Sequence, residues 1–237
     1  MAKHSKRYRE ALALIEEDRS YTPSEGVALA KKIANAKFDE TVELHIRTGA
    51  DPKDSEQNVR GVATLPHGVG KPVRVAVFAQ GEAATNANAA GADFVGGDDL
   101  IKKVEGGWTD FDVSIATPDI MGKVGKLGKI LGRKGLMPNP RTGTVVQPQD
   151  IARAVDEAKK GRIEFKLDRT SIIHVPIGRV RFEEKMLLDN LGSLMDTIVR
   201  ARPSGIKGQF IRSAYLTTTM GPSIPLDVSA TVELKQE

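Results

Sequence analysis

The chain has 237 residues, 40% of them hydrophobic, which suits one or two domains with proper cores and is too apolar for a disordered polymer. Its 35 Lys and Arg against 31 Asp and Glu leave a formal charge of +4, so the placement of charge says more than its sum. The lack of cysteine excludes disulfides, thiolate catalysis and zinc–cysteine sites, and the lack of a long apolar run or secretory pattern makes the cytoplasm the expected compartment, with no membrane partner.

The N-terminus is basic: Lys3, Lys6, Arg7 and Arg9 precede the first acid, Glu10. Lys6 to about Asp18 reads as a helix with Tyr8, Leu12 and Ile15 on one face. Thr22 as N-cap, Pro23 as first helical residue and Glu25 as the reciprocal acid then mark a capping box, and that helix runs to about Ala36 with Val27, Ala30, Ile33 and Ala34 inward. From Lys37 to Thr48 the residues alternate. Phe38, Val42, Leu44 and Ile46 face one way, and Lys37, Thr41, Glu43, His45 and Arg47 the other, as in a half-exposed strand. Glu40 breaks the alternation on the apolar side.

After His67 the style changes. Val73 to Ala79 is almost wholly apolar, as a strand covered on both faces should be. A helix from about Glu82 to Gly91, a strand at Asp93 to Val95, a helix from Asp99 to about Val104 and a strand from Phe111 to Thr117 follow. This β-α-β-α-β rhythm predicts a small parallel sheet with helices on both sides. Asp98-Asp99 reads as a helix start. Next comes MGKVGKLGKILGRKGLMPNPRTGTVVQ, whose six cations (Lys123, Lys126, Lys129, Arg133, Lys134 and Arg141) meet no acid before Asp150. Plotted as a helix, Gly125, Gly128, Gly132 and Gly135 fall on one side, so the segment either packs closely there or is partly loop. A local cationic field of this kind suits a polyanion. Val145 adds a short strand, and Gln149 to Lys160 is a helix packing Ile151, Ala154, Val155 and Ala158.

Beyond Gly161 the alternating style returns in Ile163, Phe165 and Leu167, and again in Ile173, Val175 and Ile177. A helix from about Glu184 to Arg200 buries Leu187, Leu191, Leu194, Met195 and Ile198. Phe210 to Met220 and Ile224 to Leu234 read as strands. Ser213, Tyr215, Thr217 and Thr219 share one face of the first, before a turn at Met220, Gly221 and Pro222. The expected architecture is therefore α+β and α/β. A discontinuous split α+β domain from both termini (1-67 plus 160-237) carries an inserted Rossmann-like three-layer α/β domain (68-159), and the two crossings form a hinge.

Nucleotide chemistry is not supported. No glycine-rich phosphate loop follows a strand, and His4, His45, His67 and His174 lack metal-ligand spacing. No catalytic constellation or cofactor site is legible. His174 is expected to pack in or beside a strand.

GKLGKILGRKGLMPNPRTGTV (Gly125 to Val145), KFDETVEL (Lys37 to Leu44), KGRIEFKLDRT (Lys160 to Thr170) and YLTTTMGPS (Tyr215 to Ser223) resemble the bacterial large-subunit ribosomal L-one family, over nearly the whole chain. The resemblance implies a non-enzymatic ribosomal protein, monomeric outside the ribosome. It implies binding to large-subunit rRNA at the mobile stalk beside the tRNA exit site, to exit-site tRNA whose release it assists, and to its own mRNA leader as a translational repressor. The matching rRNA- and mRNA-binding positions are Lys37, Phe38, Thr41, Arg162, Lys166, Asp168, Ser213, Thr219, Met220 and Gly221. The candidate tRNA-facing residues are Lys123, Lys126, Lys129, Arg133, Lys134 and Arg141. Lys37, Arg162 and Lys166 would neutralise phosphates, Phe38 would stack or fill the core, and Ser213, Thr219 and the Gly221 backbone would meet ribose hydroxyls. Asp168 would accept from a ribose or base, or orient Arg162 or Lys166. The competing readings are a nucleotide- or small-molecule-binding enzyme using the α/β domain and an unselective nucleic-acid chaperone.

Overall fold

The structure is a computed structural model that describes residues 5–234, so Lys3 and His4 of the basic start lie outside the described residues. The chain divides into two compact units, one built from the residues up to Gly70 and from Ile163 onward, the other from Lys71–Arg162. These divisions fall a few residues after His67 and Lys159, and they leave Arg162 with the second unit.

In the first unit, α1 (Lys6–Leu12), α2 (Pro23–Ile33), β1 (Thr41–Thr48) and β2 (Arg60–Thr64) come from the N-terminal part. The second unit carries β3 (Val75–Phe78), α3 (Glu82–Ala89), β4 (Phe94–Gly96), α4 (Asp98–Glu105), β5 (Val113–Ala116), α5 (Pro118–Val124), α6 (Gly128–Lys134) and α7 (Ile151–Lys159). Then β6 (Arg162–Lys166), β7 (Ile172–Arg179), α8 (Glu184–Arg200), β8 (Ile211–Thr218), β9 (Ile224–Leu226) and α9 (Val228–Glu233) lead back through the first.

The main sheet of the first unit has the order β7-β1-β8-β9, with antiparallel neighbours throughout. Period-two alternation puts Val42, Leu44 and Ile46, Ile173, Val175 and Ile177, and Ala214 and Leu216 on one face, and all are buried. That face is covered by α2 and α8. In α2 the full capping box forms: Thr22 Oγ1 accepts the Glu25 N–H and Glu25 accepts the Thr22 N–H. In α8, Leu187, Leu191, Leu194, Met195 and Ile198 form one buried stripe, each contributing about 1.5–3 kcal/mol of burial. The opposite face of the sheet is left to solvent.

The second unit has three layers. A parallel sheet in the order β4-β3-β5 lies between two helical layers. Val75 and Val77 of β3 pack toward α3 and α7, while Ala76 and Phe78 pack toward α4, α5 and α6. Val145 adds a single parallel bridge to Ala116. The basic segment forms α5, a 3-10 turn at Gly125–Leu127 and α6, held by buried Val124, Leu127 and Leu131. Its glycines pack against nothing: a Cβ at Gly122, Gly125, Gly128 or Gly132 would meet no atom within 4 Å. Of the two alternatives the glycines allow, close packing is absent, and the segment is instead broken by the 3-10 turn and leaves an open glycine surface.

Other expectations are also corrected. The first helix stops at Leu12, which is exposed, because Leu14 and Ile15 donate to carbonyls three residues back and Asp18 adopts φ 63°. The sheet strand begins at Thr41, not Lys37. The final strand ends at Leu226, because Asp227 caps α9: its carboxylate accepts the Ser229 N–H and its carbonyl the Thr231 N–H. The alternation after Gly161 forms β6, but its partner β2 has no sequence signal, since Arg60-Gly-Val-Ala-Thr lacks a β-branched run. Gly61 explains the weak signal: a Cβ there would stand 2.6 Å from the buried Phe165 ring.

Asn190 of α8 is fully buried and wholly satisfied. Its Oδ1 accepts the His67 N–H at 3.0 Å, and its amide donates to the carbonyls of Gly68 and Ile177 at 3.0 and 2.8 Å. Asn190→Ala orphans three backbone groups and is expected to cost about 2–4 kcal/mol. A urea midpoint equal to that of the parent chain would contradict this.

Candidate nucleic-acid interface

The open face of the main sheet carries Thr41, Glu43, His45 and Arg47 from β1, Ser213, Tyr215 and Thr217 from β8, and His174 and Pro176 from β7. One end of this face is built around Glu40, whose side chain is 2% exposed. Its Oε1 accepts the Ala36 N–H at 3.0 Å, its Oε2 accepts the Met220 N–H at 2.9 Å, and its own carbonyl accepts the Val180 N–H. Three distant stretches of chain are thereby tied at one point. Arg179 Nη1 donates to the Asp39 carbonyl at 3.0 Å, and Arg181 pairs with the Asp39 carboxylate at 3.3 Å.

The consequence is a corner. Lys37 and Phe38 project from the bent segment before β1, and Thr219, Met220 and Gly221 follow β8 beside Thr41. Phe38 is 55% exposed and Met220 50% exposed. Phe38 is thus corrected from the core position that alternation gave it, because the bonds to Glu40 bend residues 36–40 away from an extended path. Thr219 Oγ1 accepts the Thr41 N–H at 2.9 Å, and the Thr219 N–H donates to the Thr41 carbonyl. Gly221 is required by space, not by its backbone angle: a Cβ there would collide with Thr218 Oγ1. That Thr218 hydroxyl is buried with no hydrogen-bond partner.

The remaining candidates lie elsewhere. Ser213 pairs with Arg47 at the far end of the face. Lys166 is exposed on β6, in the two-stranded sheet. Arg162 is not brought to the face. Its guanidinium donates to the Thr142 carbonyl and pairs with Glu157 at 3.4 Å, within the second unit. Asp168 neither orients Arg162 nor Lys166. It accepts the N–H groups of Thr170 and Ile172 at 2.8 and 2.7 Å and the Thr170 hydroxyl at 2.6 Å, which shapes its own loop. Partial burial pushes its carboxyl up, but bonds from the Thr170 side chain, the Ile172 and Thr170 N–H groups and His174 outweigh that and hold it at about 2.

Mid-face lies a pair the sequence did not flag. His45 Nδ1 and His174 Nδ1 are 2.8 Å apart, and His45 Nε2 is 2.9 Å from Thr217 Oγ1. Asp168 stands 3.5 Å from His174 Nε2. The cross-strand register of His45 and His174 makes this contact, and their separation in sequence hides it. Desolvation and the neighbouring His174 lower the His45 imidazole below the ordinary histidine range, with Glu43 acting the other way.

In the second unit, Lys123 is neutralised by Asp98 at 2.7 Å, and Lys134 donates to Thr109. Among the described residues no acid pairs with Lys126, Lys129, Arg133 or Arg141 at ion-pair distance. No group of three or more His, Asp or Glu among the described residues is placed to hold a metal ion.

The open sheet face thus ends in a corner of exposed backbone, hydroxyl, thioether and aromatic groups. Residues 30–222 match the Ribosomal protein L1p/L10e family, and the chain belongs to that family. It is 58% identical over 230 residues to the large ribosomal subunit protein uL1 of Dehalococcoides mccartyi, covering 97% of each chain. It is 57% identical over 234 residues to the protein of the same name from Thermomicrobium roseum, covering 98% of this chain and 97% of the other. With that of Chloroflexus aggregans the figure is 54% over 236 residues, 99% and 100% covered.

Glu40→Gln is expected to lower stability by about 1–3 kcal/mol, because an amide turns a donor toward one of two part-buried N–H groups that need acceptors. A thermal melt superimposable on the parent's would contradict it. For His45 the sign follows from a base that binds fewer protons when folded. Its stabilising contribution is complete above the unfolded value and falls away as pH drops through it toward the folded one. The melting temperature should therefore fall between about pH 7.5 and pH 5.5, and fall less in His45→Gln, given an unfolded histidine near 6.5. Parallel profiles for the two proteins would contradict this assignment.

Proposed function

We propose that this chain is a non-enzymatic structural protein of the large ribosomal subunit, located in the cytoplasm, whose first unit binds large-subunit rRNA at the mobile stalk. The observation that carries the reading is the corner at Glu40. It presents Phe38, Met220, the Gly221 backbone and the Thr219 hydroxyl together, with Lys37 as the adjacent cation. Such a set suits folded RNA. Exposed ring and thioether surfaces meet base or ribose faces, a glycine permits close backbone approach, hydroxyl and carbonyl groups engage 2′-hydroxyls, and a lysine neutralises a phosphate. The names of the similar proteins and the family membership support the same subunit and the same class of partner.

The finer reading extends to two further RNAs. The same corner binds a similarly folded element in the chain's own mRNA leader, so rRNA and leader compete and excess protein represses translation. The second unit faces exit-site tRNA through Lys126, Lys129, Arg133 and Arg141 and assists release of the deacylated tRNA. The open glycine surface between these cations supports this role, because an RNA backbone can approach it closely. Outside the ribosome the chain is a monomer.

Filter binding with a stalk-rRNA fragment and a scrambled RNA of equal length tests the central part. The intact protein is expected to prefer the stalk fragment strongly, with affinity falling as salt rises. Met220→Asp is expected to weaken stalk binding at least tenfold. Thr219→Val is expected to weaken it several-fold, on the scale of one lost hydrogen bond of about 1 kcal/mol. Unchanged affinity in both folded variants would remove the corner from the site.

A further inference from the structure

Ser213 and Asp168, two of the RNA-binding candidates far from the corner, flank a polar hollow of about 270 Å³ whose lining includes Arg47, Arg212, Gly49, Thr170 and Ser171. Three features build it. The register between β1 and β8 breaks here: Arg47 opposes Ser213 while Thr48 opposes Ile211, so Arg212 is the extra residue of a β-bulge. Strict alternation would place Arg47 and Arg212 on opposite faces, and the bulge re-aims Arg212 so that both line one hollow. Gly49 then leaves room for it: a Cβ there would stand 3.4 Å from Arg212 Nε and 2.5 Å from the Gln209 carbonyl oxygen. Finally, the Asp168 carboxylate staples the loop that forms the far wall, where Ser171 adopts φ 65° and its carbonyl accepts the Thr48 N–H and hydroxyl.

The hollow is cationic. Among the described residues neither Arg47 nor Arg212 has an ion-pair partner, and both are exposed. The lining holds two guanidinium groups against one acid, Asp51, whose Oδ1 accepts the Lys53 N–H, so the net charge of the lining is positive. Two guanidinium groups held around one concavity repel each other until an anion enters. Their planar forks match the paired oxygens of a phosphate bidentately, as they do those of a carboxylate.

We propose that this hollow seats a phosphodiester group of the bound RNA, clasped by Arg47 and Arg212. The inference rests on the RNA-binding reading above and extends it. From Thr219 to Ser213 the strand covers about 20 Å at its usual rise per residue, so the RNA must run the length of the open face. The corner supplies shape recognition at one end, and the hollow supplies a phosphate anchor at the other.

The test uses the full chain and stalk rRNA, with binding measured across a salt series from about 50 to 200 mM. Arg47→Gln and Arg212→Gln should each weaken binding several-fold and reduce the slope of log affinity against log salt by about one, and the double variant by about two. Arg47→Lys and Arg212→Lys should keep the slope near that of the parent, which separates lost charge from lost folding. Thr219→Val should lower affinity with the slope unchanged. If the double Gln variant keeps the parental affinity and slope while Thr219→Val binds more weakly, the hollow is not an RNA phosphate site although the corner reading stands. If the parent chain binds stalk and scrambled RNA equally, the RNA reading itself fails. A calorimetric titration with inorganic phosphate separates the sources. Saturation by the free ion, lost in the double Gln variant while the RNA slope stays parental, would make the hollow a small-anion site and overturn the proposal.

Discussion

The Glu40 carboxylate lies buried between the end of α2 and the turn after β8, where its two oxygens accept the N–H groups of Ala36 and Met220. A carboxyl group buried in that position is tolerable only because both oxygens accept hydrogen bonds. The same two bonds fix where Phe38 leaves the sheet and where Met220 and Gly221 turn, although those segments are distant in sequence. The corner proposed to bind RNA is therefore a by-product of satisfying one buried acid. Its exposed apolar groups, Phe38 and Met220, have no core to enter, because the backbone that carries them is held outward.

From that corner the sheet face extends as a graded surface. Hydroxyl and backbone groups dominate near Thr219, a hydrogen-bonded histidine pair occupies the middle, and arginines gather at the bulge near Ser213. This ordering separates two physical tasks. In the proposed reading, close-range groups at the corner would discriminate RNA shape, because they act only on contact. The arginines at the far end would supply attraction that depends on salt and reads no sequence. The second unit concentrates its unpaired cations on a glycine-rich surface and gives two of the six to internal bonds, Lys123 to Asp98 and Lys134 to Thr109.

Much of the fold was written locally. The capping box at Thr22, the stripe of α8 and the alternation of β7 and β8 each depend on residues within a few positions of one another, and each formed as the pattern required. What escaped depends on distant partners. Gly61 makes sense only against Phe165, and His45 only against His174. The end of β9 was misread because Val228, Ala230, Val232 and Leu234 continue an alternation that the cap at Asp227 overrides. Site residues followed the same rule. Thr41, Thr219, Met220 and Gly221 meet as a group, whereas Arg162 is drawn to Thr142 and Asp168 is consumed by its own loop. Glu40 did announce itself as an acid on an apolar face, and that irregularity was the best available signal for the site.

Amide hydrogen exchange of the full chain, with and without a stalk-rRNA fragment, addresses the central claim most directly. If the corner held by Glu40 is the primary contact, the fragment will slow exchange at residues 37–47 and 213–221 and leave α8 and the segment 123–141 unchanged. Slowing confined to 123–141, with the corner exchanging as in the free protein, would contradict it.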